Sequence, residues 1–224
     1  MGHLHRRLIA FDLDGTVIDS SRDLANSVNE LLDELGAPAL PVNDVMKMIG
    51  EGAKMLIRRS LAAAGIPENP QATARFLEIY DRRLLEHTQP YDGIIGVVRA
   101  AREHARLAIL TNKPTAPTEK ILGGLRIREL FDDVVGSDGH YPRKPNPAAL
   151  LALMDRADAP PPRTLLIGDS KIDYETARNA DARCCLVAYG FTDCAHHPEA
   201  FPDAWVAGDS SSLADVIARF VTRD

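Results

Sequence analysis

The chain has 224 residues, 45% of them hydrophobic, so it can bury a substantial core and is not expected to be disordered. Its 26 Lys and Arg against 32 Asp and Glu give a net charge of −6, which disfavours nucleic acid and anionic membranes as partners. No apolar run reaches about 18 residues, and no signal-peptide core follows the basic N-terminus, so we expect a cytoplasmic protein.

Short apolar runs alternate with helical patterns along most of the chain. The runs lack polar alternation, as is typical of strands covered on both faces. They are Leu8–Phe11, Leu107–Leu110, Val134–Val135, Leu165–Ile167 and Cys184–Val187. The helices predicted between and after them lie near 94–104, 116–125, 147–156, 173–180 and 211–221. This alternation predicts an α/β fold with a doubly wound parallel sheet.

The stretch between residues 19 and 89 differs because it has no convincing strand pattern. An amphipathic helix is predicted over residues 21–36, and Ser20 with Asp23 resembles its capping box. Three more helices are predicted, separated by Gly and Pro, at 43–49, 53–64 and 71–87. We therefore predict an all-helical insertion, residues 19–89, in a core formed by residues 1–18 and 90–224.

Polar residues stand where the predicted strands end. Asp12 and Asp14 directly follow the first strand, and two carboxylates there are costly unless they are solvated, paired or metal-bound. The carboxyl ends of parallel strands are also where α/β folds bind ligands. Each such group alone also fits an ordinary turn or helix cap. Together they form one ordered set, completed by Thr111, Asn112, Lys144, Asp169 and Asp173.

With this set, the chain resembles the haloacid dehalogenase-like hydrolase superfamily. The four motifs that carry the resemblance are Phe11–Thr16, Thr111–Asn112, Lys144–Pro145 and Gly168–Ser170 with Asp173. They span essentially the whole chain. The resemblance implies a Rossmann-like core, with the helical insertion acting as a cap between the first two motifs.

Within the superfamily, the chain is most similar to bacterial phosphoglycolate phosphatases. The similar stretches are Asp19–Ser20 with Asp23–Leu24, Gly50–Ala53, Pro90–Gly93, Thr111–Pro114 and Tyr189–Gly190. The chain departs from these relatives at Asn179–Asp181, a helix end, and at Asn146, which precedes a helix it is placed to cap. The resemblance implies hydrolysis of 2-phosphoglycolate to glycolate and phosphate. Pyrophosphate, a sugar phosphate or a nucleotide remains an alternative substrate.

The chemistry of phosphomonoester hydrolysis assigns roles to these residues. A carboxylate can attack phosphorus and divide the reaction into two steps, so Asp12 is the expected nucleophile of an aspartyl-phosphate intermediate. Asp14 is the expected general acid and then general base. We expect Lys144 to neutralise the transferring phosphoryl group, and Thr111 and Asn112 to donate hydrogen bonds to it.

Four aspartates beside a phosphate would repel one another, at about 4 kcal/mol for each pair 4 Å apart in an effective dielectric near 20. A hard cation with oxygen ligands relieves this repulsion, and Mg2+ suits such a site. The resemblance implies that Asp12 and Asp169 bind the metal through carboxylates and Asp14 through its backbone carbonyl. Asp173 is expected to support these ligands from behind.

Substrate choice is expected to depend on the helical insertion. Gly52 lies where a helix begins, and free backbone N–H groups there could hold a small carboxylate, although a plain turn explains the glycines equally well. A small phosphorylated metabolite is the expected partner, and a monomer and a homodimer both remain open.

Three other activities are compatible with parts of this pattern. A dehalogenase is disfavoured by Asp14, which the dehalogenases of the superfamily replace. A phosphomutase of the β-phosphoglucomutase type shares the aspartyl phosphate but returns the phosphate to a sugar. A noncatalytic phosphometabolite-binding protein would be stabilised by its ligand without turnover.

Overall fold

The α/β architecture predicted from the sequence is confirmed by the computed structural model, which describes residues 7–222. Within this range the strands are β1 (Leu8–Phe11), β2 (Ile18–Asp19), β3 (Gln89–Pro90), β4 (Arg106–Leu110), β5 (Asp133–Val135), β6 (Thr164–Gly168), β7 (Arg183–Val187) and β8 (Trp205–Ala207). Six of them form a parallel sheet in the order β5-β4-β1-β6-β7-β8. The first strand of the chain therefore lies near the middle of the sheet.

Helices follow most strands and cover both faces of the sheet. In the described part of the chain they are α1 (Ser21–Glu34), α2 (Val42–Met46), α3 (Ala53–Ala63), α4 (Ala72–Arg83), α5 (Ile94–Ala101), α6 (Thr115–Gly124), α7 (Ala148–Arg156), α8 (Lys171–Asn179) and α9 (Ser210–Thr222). Between α6 and the end of the described residues, four short 3-10 helices occur in the loops.

The central strands alternate their side chains between two hydrophobic clusters. Ile9 and Phe11 of β1 point to the face that α5, α6 and α9 cover. Leu8 and Ala10 point to the opposite face, which α7 and α8 cover. All four side chains are fully buried, as expected for a sheet with helices on both sides.

Helices α1 to α4 follow one another between β2 and β3, with α1 packed against the other three. The two short strands pair antiparallel, Ile18 with Pro90 and Asp19 with Gln89, where the chain leaves the core and returns to it. Division into two domains at residues 19–89 stays a prediction. Residues 1–6 and 223–224, assigned to the predicted core, lie outside the described residues.

Two predictions at helix starts need correction. The capping box at Ser20 and Asp23 is wrong, because within residues 7–222 the Ser20 side chain makes no cap bond and Ser20 Oγ instead donates to Asp14 Oδ1 at 2.5 Å. Asp23 Oδ2 accepts hydrogen bonds from the backbone N–H groups of His87 and Thr88, at 2.9 and 2.8 Å. The first turn of α1 therefore holds the segment that leads into β3.

The helix expected to begin at Pro147 begins one residue later. Pro147 is the N-cap of α7, and Asn146 Oδ1 accepts the N–H of Ala148 at 3.0 Å, so Asn146 does stabilise the helix start. None of the helices between residues 7 and 222 combines the length and apolar character needed to cross a bilayer.

Candidate active site

Asp12 and Asp169 lie side by side because each follows one of two paired strands. β1 and β6 pair with Phe11 opposite Ile167, and the N–H of Asp12 extends the ladder to Ile167 O at 2.8 Å. Both aspartates are buried. The strand register therefore brings together two carboxylates that are 157 positions apart in the sequence.

Asp173 joins them from the start of α8, and oxygen atoms of the three carboxylates lie within 4.8 Å of one another. Burial raises the pKa of Asp12 to about 6, although Lys144 opposes the shift and Asp173 adds to it. Burial likewise holds the pKa of Asp169 well above its usual range, with Asp173 and Asp12 contributing. Both carboxyl groups therefore hold their protons to higher pH than usual, because the protein compensates their negative charge only in part.

Lys144 lies between Asp12 and Asp173. Its ammonium is 2.9 Å from Asp12 Oδ1 and 2.6 Å from Asp173 Oδ1. The lysine is itself buried, which lowers its pKa, but the two aspartates raise the pKa by more and keep the group charged. The site therefore has a fixed positive charge directly beside Asp12.

The second oxygen of Asp173 is used within the chain. Asp173 Oδ2 accepts from the N–H of Ser170 at 3.1 Å and from Ser170 Oγ at 2.6 Å. The Ser170 side chain in turn accepts the N–H of Asp173, so the two residues form the capping box of α8. Since Lys144 takes Oδ1, both oxygens of Asp173 already have partners. Asp173 is therefore suited to hold Lys144 in place rather than to bind a metal directly.

The donor set fits a hard divalent cation. It consists of buried carboxylate oxygens, with no histidine or cysteine in the cluster formed by Asp12, Asp169 and Asp173 among the described residues. Mg2+ prefers such ligands and is commonly bound by one or two carboxylates. Asp12 and Asp169 are the carboxylates best placed to hold it.

The loop after β7 fixes the carboxylate of Asp169. Asp169 Oδ2 accepts from the N–H groups of Phe191 and Thr192 at 2.7 and 3.1 Å. Gly15 faces the same oxygen, and a Cβ at Gly15 would lie 2.7 Å from it. Gly15 also has a φ of +79°, in the left-handed region that favours glycine. A side chain at this position would displace the carboxylate.

Asp14 lies outside this carboxylate cluster and is held by Ser20 and Lys113. The Lys113 ammonium donates to both carboxylate oxygens of Asp14 at 3.0 Å. It also donates to Tyr80 Oη at 2.7 Å, so a tyrosine of α4 contacts the ion pair. Burial lowers the pKa of Lys113, but Asp14 and Tyr80 raise it by more.

Lys113 was not predicted as a site residue, although it follows Thr111 and Asn112 directly at the end of β4. Its position two residues after Thr111, at the carboxyl end of β4, could have indicated that Lys113 belongs to the site. Its partner Tyr80 lies 33 positions away, beyond the reach of local patterns.

Thr111 and Asn112 line the same cavity as Asp12 and Asp14. Thr111 Oγ1 accepts the N–H of Lys113 at 3.2 Å, which leaves its hydroxyl hydrogen able to donate to a ligand. Asn112 Nδ2 donates to the carbonyl oxygens of Gly50 and Lys144, each at 3.1 Å. Asn112 therefore also ties the loop before α3 to the loop that carries Lys144.

A cavity of about 60 Å³ connects these groups. Of the predicted residues, those that line it are Asp12, Asp14, Gly52, Thr111, Asn112 and Asp169. Lys144 and Asp173 lie behind Asp12. The helical insertion supplies an apolar wall from Leu24, Ile49, Leu56, Phe76 and Leu77.

Gly52 is the N-cap of α3 and has a φ of +86°. A Cβ there would lie 3.2 Å from the backbone oxygen of Asn112 and 3.1 Å from a guanidinium nitrogen of Arg143. The start of α3 thus approaches the core closely, which the glycine permits.

Comparison with known proteins gives this geometry a context. A family model described as haloacid dehalogenase-like hydrolase matches residues 9–187. The phosphoglycolate phosphatase 1 of Pseudomonas aeruginosa is 36% identical over 193 residues, covering 83% of this chain and 70% of that protein. The phosphoglycolate phosphatase of Caulobacter vibrioides is 34% identical over 195 residues, covering 85% of this chain and 82% of that protein.

A solved structure agrees with these sequence relatives. The crystal structure described as a predicted phosphoglycolate phosphatase from Haemophilus somnus superimposes with a TM-score of 0.87 at 28% identity. The match covers 96% of this chain and 99% of that one, so the similarity includes the helical insertion as well as the sheet.

Proposed function

This chain belongs to the haloacid dehalogenase-like hydrolase family, and we propose that it hydrolyses 2-phosphoglycolate to glycolate and phosphate through a phosphoenzyme on Asp12. It is a phosphoric monoester hydrolase acting on a small phosphorylated substrate, in line with its relatives. The observation that carries the proposal is the pairing of Asp12 with buried Lys144 at 2.9 Å, at the floor of a cavity that Asp14 also lines. The cytoplasmic location and the choice between monomer and homodimer stay predictions.

The first step forms a bond between a carboxylate oxygen of Asp12 and phosphorus and breaks the bond from phosphorus to the leaving oxygen. Lys144 supports it because a fixed positive charge beside Asp12 offsets the negative charge of the incoming phosphoryl group. The hydroxyl of Thr111 is free to donate a hydrogen bond to a phosphoryl oxygen.

Asp14 is the residue proposed to move the proton. In the first step its carboxylic acid protonates the departing oxygen of glycolate. In the second step its carboxylate accepts a proton from the water that hydrolyses the aspartyl phosphate, which regenerates Asp12 and releases phosphate. Ser20 and Lys113 hold Asp14 in the cavity wall during both steps.

We propose that Mg2+ is bound by the carboxylates of Asp12 and Asp169 and by the backbone carbonyl of Asp14. When bound, the cation neutralises phosphate charge and screens the aspartates from one another. Asp173 contributes by fixing Lys144. Phe191 and Thr192 contribute by orienting Asp169.

The size and lining of the cavity support a small leaving group. By the measure that one water needs about 10–15 Å³, the cavity holds only about four to six waters. The helical insertion covers one side of it with apolar side chains, which limit the access of water to the site. Gly52 and the start of α3 are the proposed contact for the carboxylate of the substrate.

The test is release of inorganic phosphate in the presence of Mg2+ from 2-phosphoglycolate, pyrophosphate, a hexose phosphate and a nucleotide. We expect 2-phosphoglycolate to give the highest kcat/KM. We expect Asp12→Asn to lower turnover by at least about a thousandfold, because an amide cannot act as the nucleophile.

Each contrary outcome rejects a defined part of the proposal. A higher kcat/KM for another substrate rejects 2-phosphoglycolate. Transfer of the phosphate to a second sugar position identifies a mutase. Turnover that survives Asp12→Asn rejects the nucleophile, and binding without turnover rejects hydrolysis.

A further inference from the structure

Helix α4 of the insertion contacts the first turns of α6 and the loop before it along one side. At the outer end, Lys120 Nζ pairs with Asp81 at 2.6 Å on the surface. At the inner end, Lys113 Nζ donates to Tyr80 Oη at 2.7 Å, and both side chains are buried. Adjacent residues of α4 thus make one exposed and one buried contact with the core.

The inner contact reaches the proposed proton donor. Lys113 has three N–H donors, and its three hydrogen-bond acceptors are Asp14 Oδ1, Asp14 Oδ2 and Tyr80 Oη. The direction of the ammonium is therefore fixed jointly by a core carboxylate and by a hydroxyl from the insertion. Loss of the hydroxyl would leave one N–H donor of the ammonium unsatisfied, and its direction would then depend on Asp14 alone.

Tyr80 is itself held rigidly in α4. Its ring stacks on Phe76 with an interplanar angle of 8°, and the Lys113 ammonium lies 4.6 Å from the ring centroid. Burial raises the pKa of the Tyr80 hydroxyl to about 12, so it stays protonated. The hydroxyl is thus a neutral acceptor at a position that moves only with α4.

We propose that Tyr80 is a positioning residue that acts through Lys113, so that the seating of α4 on the core sets the orientation of Asp14. The inference rests on the proposed function, because it concerns the residue that protonates the leaving group. On this proposal, the insertion orients Asp14 in addition to lining the cavity. With α4 in place, Lys113 and Ser20 together hold Asp14 in the orientation proposed for protonating the leaving oxygen.

The test uses Tyr80→Phe, which keeps the ring and its stacking and removes only the acceptor. We compare single-turnover cleavage of 2-phosphoglycolate, whose alkoxide needs a proton, with cleavage of an aryl phosphate, whose phenolate leaves without one. We expect Tyr80→Phe to slow cleavage of 2-phosphoglycolate about tenfold, equivalent to about 1.4 kcal/mol, and to leave aryl phosphate cleavage within about twofold. Asp81→Asn is the matched control, and we expect it to change neither rate.

A double-mutant cycle identifies the route of the effect. We expect Lys113→Met to slow cleavage of 2-phosphoglycolate at least as much as Tyr80→Phe. If Tyr80 acts through Lys113, adding Tyr80→Phe to Lys113→Met has no further effect. The thermal unfolding midpoint of each variant is recorded with the rates.

Several results would overturn the inference. They are equal slowing of both substrates by Tyr80→Phe, no slowing of either, the same substrate-dependent loss in Asp81→Asn, or additive effects in the cycle. These results are distinct from failure of the proposed function, in which the unchanged protein itself releases no phosphate with Mg2+.

Discussion

Lys144 Nζ lies 2.9 Å from Asp12 Oδ1, and both side chains are buried, with Asp12 lining the cavity and Lys144 behind it. The same ammonium lies 2.6 Å from Asp173 Oδ1, so one lysine serves two carboxylates. The proposed nucleophile is therefore paired with a positive charge before any ligand binds.

Removal of that charge affects folding as well as activity. We expect Lys144→Met to lower the free energy of unfolding by about 3 to 5 kcal/mol at neutral pH, because it leaves buried carboxylates uncompensated. At about pH 5 the loss is smaller, because Asp12, whose pKa is already raised to about 6, then binds a proton. Urea unfolding at the two pH values measures both quantities. Equal losses at both would contradict this account.

The raised pKa of Asp12 contributes to the pH dependence of the metal-free protein. Its pKa moves from an ordinary 3.8 to about 6, so its stabilising contribution is full below about 3.8 and is lost as pH rises through about 6. In EDTA, Asp12→Asn should therefore become more stable than the unchanged protein by about 1 to 3 kcal/mol as pH rises from about 5 to 7.5.

Addition of Mg2+ should reverse that order at pH 7.5, because the cation stabilises only the protein that retains the Asp12 carboxylate. The Tm of both proteins with and without Mg2+ checks this. A Tm increase of the same size in Asp12→Asn would remove Asp12 from the metal site, and undiminished turnover in excess EDTA would reject the metal altogether.

Asp23 is expected to be important for stability and not for the chemical step. Its Oδ2 accepts from the N–H of His87, the N–H of Thr88 and the hydroxyl of Thr88. We expect Asp23→Ala to lower the free energy of unfolding by about 2 to 4 kcal/mol, because three donors lose a buried partner.

Asp44→Ala is the comparison for Asp23, since Asp44 pairs with Lys47 on the surface. Its cost should stay within about 0.5 kcal/mol. Urea unfolding of the two variants measures the difference, and a similar small cost for both would show that the Asp23 contacts contribute little.

Alanine substitutions at two glycines distinguish the effect of backbone strain from the effect of a steric contact at the site. Gly52 and Gly65 both have positive φ, +86° and +73°, so an alanine at either costs about 1 kcal/mol of stability. Apart from the glycine itself and its chain neighbours, no described atom lies within 4 Å of a Cβ at Gly65. A Cβ at Gly52, in contrast, lies 3.2 Å from the backbone oxygen of Asn112.

Gly52→Ala should therefore lower kcat/KM about tenfold, by displacing the start of α3, while Gly65→Ala leaves it unchanged. Steady-state kinetics on 2-phosphoglycolate measure the two variants. Equal kcat/KM values would place the start of α3 outside the substrate site.

The sheet was predictable from the sequence because its central strands are buried on both faces and so form continuous apolar runs. β8 was not predicted, since it has only three residues, and Val206 in its middle is exposed. The pairing of β2 with β3 was missed for the same reason, because two residues carry no periodicity.

The polar residues of the site were predictable where they follow a strand, as with Asp12 and Asp169. Predictions from local spacing failed where the partner is distant. Ser20 and Asp23 fit a capping box, yet Ser20 bonds to Asp14 and Asp23 to a segment 64 positions away. The role of Lys113 depends on Tyr80 in the same way.

The ladder of Ile18–Asp19 with Gln89–Pro90 has a further consequence for how this chain could be rebuilt. The chain enters and leaves the four-helix segment at adjacent positions. In topological terms, that segment is an insertion in the connection between β1 and β4. We expect its replacement by another helical unit with adjacent ends to keep the strand order and the pairing of Asp12 with Lys144. The four-helix segment is therefore the part of the chain to exchange when the aim is to change which phosphoesters reach the proposed nucleophile.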